Sequence, residues 1–114
     1  MDPLLSTVEY AMGGLQLRLD TVANNLANLN TPGFVAQKVD FETSLGIALA
    51  SGRGAPGVGP AIVNSEDVPD DTGNTVNIEN EITEMTKSSL ERQVMVSAFN
   101  YKTDLLKAAA GVSR

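Results

Sequence analysis

The chain has 114 residues, with eight Lys or Arg against fourteen Asp or Glu, which gives a formal net charge of −6. No block of basic residues occurs, so we expect no nucleic-acid partner. Cysteine and histidine are both absent, which excludes thiol chemistry, disulfides and the common zinc sites within this chain. We therefore expect no cofactor, no metal and no small-molecule substrate.

The first predicted element is a long N-terminal helix over residues 3–29, roughly 40 Å long at about 1.5 Å per residue. Gly13 and Gly14 lie in its middle. They are explained either by a flexible joint or by close approach of a neighbouring backbone, and the sequence leaves both open. Apolar residues recur at alternating steps of three and four, the spacing of one helix face: Leu5, Val8, Met12, Leu15, Leu19, Val22, Leu26 and Leu29.

The C-terminal end of this helix is rich in asparagine, with Asn24, Asn25, Asn28 and Asn30 inside seven positions. Asparagine is a mediocre helix former because its amide competes for backbone hydrogen bonds. The same amide both donates and accepts, so it can pair with loop backbone groups that packing removes from water. The alternative is that these side chains only fray a helix end.

A turn and an extended segment are predicted over residues 30–42. Thr31, Pro32, Gly33 and Phe34 fit a type II turn, which requires a positive φ at Gly33. In the extended segment that follows, Val39 and Phe41 lie two apart and face the same side. We predict that residues 31–41 and the Gly-rich residues 51–60 contact other subunits, with Val39 and Phe41 as the contacting side chains.

Residues 43–76 are predicted to be an irregular loop, because five glycines fall within LGIALASGRGAPGVGP and an acidic, Pro-containing stretch follows. The last element is a C-terminal helix over residues 77–111. Asn77 can cap it, and acidic residues lie in its first turns.

The C-terminal helix is apolar along two lines, so we expect two partners for it. One partner is the N-terminal helix, and the other is a second chain. The sequence thus predicts one mainly α domain, residues 1–114, in which the two long helices pack as an antiparallel coiled-coil-like pair joined by an irregular Gly/Pro-rich region. The predicted seam between the helices consists of Leu15, Leu19, Val22 and Leu26 against Ile82, Met85, Met95 and Phe99.

Two alternatives follow from the residues alone. Glu79, Glu81 and Glu84 suggest metal ligation and an enzyme, but a solvated acidic first turn is the better account, since no histidine joins them. A free-standing coiled-coil interaction module is the other alternative. It predicts a helical dimer in dilute solution, whereas a subunit of a larger assembly predicts a poorly ordered monomer.

The asparagine-rich segment is similar to the N-terminal signature of the axial proteins of the bacterial flagellum, which reads roughly Ala-Asn-Asn-(Ile/Leu)-Ala-Asn-x-(Asn/Asp)-Thr-Pro-Gly-(Phe/Tyr). The resemblance covers about residues 2–42 and 72–110. Val35 departs from it, because a basic residue usually follows the aromatic. The matching residues are Ala23, Asn24, Asn25, Leu26, Ala27, Asn28, Asn30, Thr31, Pro32, Gly33 and Phe34.

The resemblance implies a short rod protein of the basal body, since the chain has no room for an outer domain. GNTVNIENEITEM resembles the entry to the C-terminal helix in the rod protein nearest the membrane. The other short rod protein, FlgC, is the alternative, and SAFNYKTDLLKAA matches its C-terminal helix poorly. In rod proteins the asparagine-rich segment is where the helix, the turn and neighbouring subunits meet.

The resemblance also implies location and partners. The subunit would leave the cytoplasm through the flagellar type III apparatus without a cleavable signal and join the rod on the outer side of the cytoplasmic membrane. Its neighbours would be copies of itself, other proximal rod proteins, the adaptor between the membrane ring and the rod, and the export gate.

Overall fold

The computed structural model describes residues 3–52 and 54–111. The two ends of the predicted domain 1–114 lie outside the described residues, as does residue 53 of the Gly-rich loop. The molecule is elongated, with extents of 63 × 30 × 14 Å. Its elements are helix α1 (Pro3–Ala27), strand β1 (Gln37–Asp40), helix α2 (Glu42–Ala50), strand β2 (Ala61–Asn64) and helix α3 (Ile78–Ala109).

The two long helices pack against each other, which confirms the predicted fold class. Asn25, near the end of α1, binds Glu81 in the first turn of α3. Met95, farther along α3, packs against the cluster that contains Ala11 and Leu15 of α1. The helices are therefore antiparallel.

The connecting region is more ordered than the predicted loop over residues 43–76. It contains most of α2 and the whole of β2, which pairs antiparallel with β1 so that Gln37 lies opposite Asn64 and Asp40 opposite Ala61. Asp40 accepts a hydrogen bond from the Thr43 backbone N–H at 3.2 Å and so supports the start of α2. The glycine count misled the prediction because four of the five glycines follow α2 and only Gly46 lies within it.

The core is small and lies where α1, β1 and the start of α2 meet. Its buried cluster consists of Ala11, Leu15, Val39 and Phe41. Val39 and Phe41 are only 5% and 3% exposed, so their prediction as contacts to other subunits is wrong. The extended segment folds back on α1, and strand alternation turns both side chains toward that helix.

The α3 side of the predicted seam also needs correction. On α1, Leu15 and Val22 are buried and Leu19 and Leu26 half-buried. On α3, Met95 packs against the core, but Ile82, Met85 and Phe99 are exposed.

The buried residues of α3 are instead Glu81 and Ser88. Glu81, Ser88 and Met95 are spaced by seven and so lie on one helix face. Two of the three residues on this face are polar, which is why an apolar pattern did not find the contact.

The predicted turn is present. Gly33 has φ +74°, and the Phe34 N–H donates to the Thr31 carbonyl at 3.2 Å. The segment 31–34 therefore reverses the chain as predicted.

We expect Gly33→Ala to lower the free energy of unfolding by roughly 1–2 kcal/mol, because a Cβ disfavours the left-handed region. Urea unfolding followed by circular dichroism measures this. Gly57→Ala is the control, since a Cβ at Gly57 would meet none of the described residues within 4 Å and its φ is not positive. It should be neutral or slightly stabilising, and an equal loss in both variants would contradict the prediction.

Candidate functional site

The asparagine-rich segment forms a hydrogen-bonded junction between the end of α1, the turn, β1 and the start of α3. We call it the asparagine junction. Its side chains come from two distant parts of the chain: Asn25 and Asn28, and Asn74, Thr75 and Glu81.

Asn25 is the centre of the asparagine junction and is fully buried, at 0% exposed. Its Nδ2 donates to the Gln37 carbonyl at 2.8 Å and to Glu81 Oε1 at 2.9 Å. Its Oδ1 accepts from the Gln37 N–H at 3.0 Å. The amide thus pairs with β1 as a neighbouring strand would, and it covers the edge of that strand. One side chain thereby joins α1, β1 and α3.

Asn74 ties the segment before α3 to the end of α1. Its Nδ2 donates to the carbonyls of Asn28 and Thr31 at 2.9 and 2.8 Å, and its Oδ1 accepts from the Val76 N–H at 2.7 Å. Carbonyls at the end of a helix have no partner within that helix. Asn28 lies just after α1, and its carbonyl accepts from Asn74 as well as from the Thr31 N–H at 3.0 Å.

The turn is attached to the same segment through backbone hydrogen bonds. The Gly33 N–H donates to the Thr72 carbonyl at 2.9 Å, and the Thr75 N–H donates to the Phe34 carbonyl at 3.0 Å. The Ala36 N–H donates to Thr75 Oγ1 at 2.8 Å. The two parts of the sequence that carry the resemblance are therefore physically joined.

The structure divides the predicted motif into an inner and an outer part. Asn25 is buried and Asn28 half-buried, and Asn28 donates from Nδ2 to the Asn24 carbonyl at 2.9 Å. Leu26 and Phe34 are half-buried. The outer part consists of exposed residues: Ala23, Asn24, Ala27, Asn30, Thr31, Pro32 and Gly33.

Sequence reasoning placed the asparagines here but missed Asn74, Thr75 and Glu81 as their partners. The available signal was the resemblance of GNTVNIENEITEM, which contains all three residues. It indicated a helix entry and gave no pairing with Asn25.

Arg18 forms a second cluster, at the other end of β1. Its guanidinium donates to both Glu42 oxygens at 2.8 and 2.7 Å and to the Val39 carbonyl, and its Cζ lies 4.8 Å from the centre of the Phe41 ring. Glu84 of α3 lies 3.7 Å from the Arg18 Nε. The hydrogen bonds from Arg18 hold the pKa of Glu42 below its ordinary value of 4.5. The side chain thus connects α1, β1, α2 and α3.

A pH dependence follows from this lowered pKa. Above pH 4.5, the ordinary value for the carboxyl, Glu42 is ionised in both states and its stabilisation is complete. As the pH falls toward the lowered value, the unfolded chain binds a proton first, so that this stabilisation is lost.

We expect Glu42→Gln to reduce the difference in stability between neutral pH and pH values below 4.5, the ordinary value for this carboxyl. Urea unfolding over this range measures it. Glu66→Gln, at an exposed position, is the control and should keep the wild-type profile. A Glu42→Gln profile that matches the wild type would contradict the assignment.

The three acidic residues considered for metal ligation lie in different environments. Glu79 is exposed, Glu81 binds Asn25 and Glu84 lies beside Arg18. Over residues 3–52 and 54–111, no group of three or more acidic, Cys or His side chains is placed to hold a metal ion. Nor, within those ranges, is any helix long and apolar enough to cross a membrane.

Comparison with known proteins finds related sequences. Residues 5–34 match the family described as flagella basal body rod protein. The chain is 31% identical to the flagellar basal body rod protein FlgB of Aeromonas hydrophila, over 90% of this chain and 89% of the relative. The FlgB proteins of Escherichia coli K12 and Bacillus subtilis 168 are 28% and 25% identical, over 88% and 90% of this chain and 89% of each relative.

Two packed terminal helices, joined through an asparagine-rich turn that matches the family, define the class as a flagellar rod subunit. The three relatives are all FlgB proteins, and the match to the first covers nearly the whole chain. The chain belongs to the FlgB family of flagellar basal body rod proteins. This confirms the resemblance to a short rod protein of the basal body and favours FlgB over FlgC.

Proposed function

We propose that the chain is a structural, non-catalytic subunit of the proximal rod of the flagellar basal body. Family membership supports this role. The observation that carries it is an apolar surface on α3 that the chain itself leaves uncovered.

This surface, which we call the outer stripe, consists of Leu90, Val94, Tyr101 and Leu105. Their steps of four, seven and four place them along one helix face. Each is between 48% and 67% exposed. A contiguous exposed apolar surface marks an interaction site. The outer stripe is therefore the surface that would bind the second partner, which the two apolar lines of α3 predicted.

In this proposal the outer stripe packs against copies of the chain or other proximal rod proteins. Further partners, namely the adaptor between membrane ring and rod and the export gate, are supported only by the family resemblance. The exposed outer part of the asparagine-rich motif offers a second surface for neighbouring subunits.

Export in an unfolded state through the type III apparatus is part of the same proposal. It is supported by the small core. In the part of the chain that the structure describes, eight hydrophobic residues are buried, and three of them are alanine. Because little apolar surface is buried within the chain, the isolated chain would be only marginally stable, and assembly would add the rest of its stability.

The double substitution Leu90→Asp, Val94→Asp tests the outer stripe. Since both side chains are exposed in the single chain, we expect little change in its helical content. Motility should be lost, because assembly would bury two unpaired carboxylates. Swimming assays, electron microscopy of isolated basal bodies and circular dichroism of the purified chain measure the three effects.

Thr86→Asp with Asn100→Asp is the control, because it adds the same charge at exposed polar positions of α3. This variant should remain motile. Equal impairment in both pairs would attribute the defect to charge on α3 and would reject the outer stripe as the contact.

A further inference from the structure

Glu81 is a buried carboxyl group at the contact between the long helices. It is 6% exposed and lies in the first turn of α3, where its Oε1 accepts a hydrogen bond from Asn25 at 2.9 Å. In the described part of the chain it forms no salt bridge with a Lys or Arg side chain. Among the described residues, the Asn25 amide is therefore the group that binds this carboxyl.

Each element that packs around the Glu81 side chain contributes a charged group. They line a shallow cleft of about 170 Å³: Arg18 of α1, Lys38 of β1, Asp67 of the preceding loop and Glu84 of α3. Arg18 is committed to Glu42 and the Val39 carbonyl. Asp67 and Glu84 carry the same charge as Glu81 and oppose its ionisation.

We propose that Glu81 makes the contact between α1 and α3 sensitive to pH, so that protonation of its side chain strengthens the asparagine junction and ionisation weakens it. A neutral carboxyl still accepts the hydrogen bond from Asn25. It also avoids the cost of placing a charge in a buried site beside two other carboxylates.

The direction of the pKa agrees with the geometry. Burial raises the pKa of Glu81 above its ordinary value of 4.5, the hydrogen bond from Asn25 opposes this, and Glu84 and Asp67 raise it further. Below the ordinary value the group is protonated in both states. As the pH rises toward the raised value, the unfolded chain releases its proton first, so that stability is lost.

Two measurements on the full chain test the proposal. Carbon-13 NMR of the Glu81 carboxyl should give a titration midpoint above 4.5, the ordinary value. In urea unfolding, the folding equilibrium constant should fall by up to about tenfold per pH unit between the ordinary and the raised value. Glu81→Gln should remove this dependence and fold more favourably at neutral pH, because glutamine keeps an oxygen for Asn25.

Glu79→Gln is the matched control, since Glu79 lies in the same helical turn but is exposed. This variant loses the interaction of the Glu79 carboxylate with the helix dipole, but the buried Glu81 carboxyl remains. The pH dependence of stability should therefore persist. A Glu81 carboxyl that titrates at the ordinary value, as it would in a chain too weakly folded to bury it, overturns the proposal. So does a Glu81→Gln variant that retains the wild-type pH dependence.

Discussion

Gly14→Ala is expected to lower the free energy of unfolding by roughly 1–3 kcal/mol, the usual cost of overpacking a core. A Cβ built at Gly14 would lie 2.4 Å from Cδ1 and 2.5 Å from Cγ of Phe41. Both distances are far shorter than a van der Waals contact. Either the ring or the α1 backbone would have to move.

The Phe41 ring has little freedom to move away. Its face lies 4.8 Å from the Arg18 guanidinium carbon, and Tyr10 packs edge to face with a centroid distance of 6.4 Å. Displacing the ring would disturb the buried cluster as well as the Arg18 contacts. This is the physical reason for a cost from a single methyl group.

Gly13→Ala is the adjacent control and is expected to have the opposite sign. A Cβ at Gly13 has no atom of the described residues within 4 Å, and alanine favours a helix over glycine by up to about 1 kcal/mol. Urea unfolding of the two variants measures both effects. Similar changes in both would show that the glycine pair acts through backbone flexibility, contrary to this assignment.

The structure therefore decides between the two readings of the glycine pair that the sequence left open. Close approach is correct for Gly14, although the neighbour is the Phe41 side chain and not a backbone. Gly13 has no such contact. Pattern analysis could not separate the two because the approaching ring lies 27 positions farther along the chain.

Local signals predicted the local structure well. The heptad spacing predicted α1, Asn77 predicted the start of α3, and Pro32 with Gly33 predicted the turn. Each of these depends on residues a few positions apart, where propensity and turn geometry act directly. The family resemblance then supplied the class of protein.

Long-range pairings were harder to predict. The apolar residues of α3 indicated a contact with α1, yet Glu81 and Ser88 are the buried ones. Arg18 lies outside the apolar spacing that predicted the seam, yet it is buried and binds Glu42, 24 positions away. A buried polar residue is identified by its hydrogen-bond partners. The spacing of residues along one helix does not reveal partners that lie far away in the sequence.

The partners of Asn25 also lie too far away in the sequence for a pattern to reveal them. Among the substitutions considered, we expect a change at Asn25 to have the largest effect on the free energy of unfolding. Asn25→Ala would leave the Gln37 N–H and carbonyl without their partner and would remove the hydrogen bond to Glu81. Glu81 is buried, whereas Gln37 is exposed and its two hydrogen bonds with Asn25 are part-buried. A group left unpaired away from water costs about 1–3 kcal/mol. We expect a total loss of roughly 3–5 kcal/mol in the free energy of unfolding, enough to unfold a marginally stable chain.

Asn24→Ala is the matched control, one position earlier in the same helix. Asn24 is exposed, and the hydrogen bond that it accepts from Asn28 goes to its backbone carbonyl, which alanine retains. Since alanine is the better helix former, stability should stay the same or rise slightly. Urea unfolding with circular dichroism compares the two variants.

Asn25→Asp separates the hydrogen bonds of Asn25 from its packing, because aspartate has nearly the same shape as asparagine. It keeps an acceptor for the Gln37 N–H but loses the donor that serves both the Gln37 carbonyl and Glu81. It also places a second carboxylate beside Glu81, so it should destabilise at least as much as alanine at neutral pH. A milder effect for aspartate than for alanine would mean that Asn25 acts mainly by filling space. The asparagine junction would then be a packing contact, and its hydrogen bonds would not be what holds the turn between the two helices.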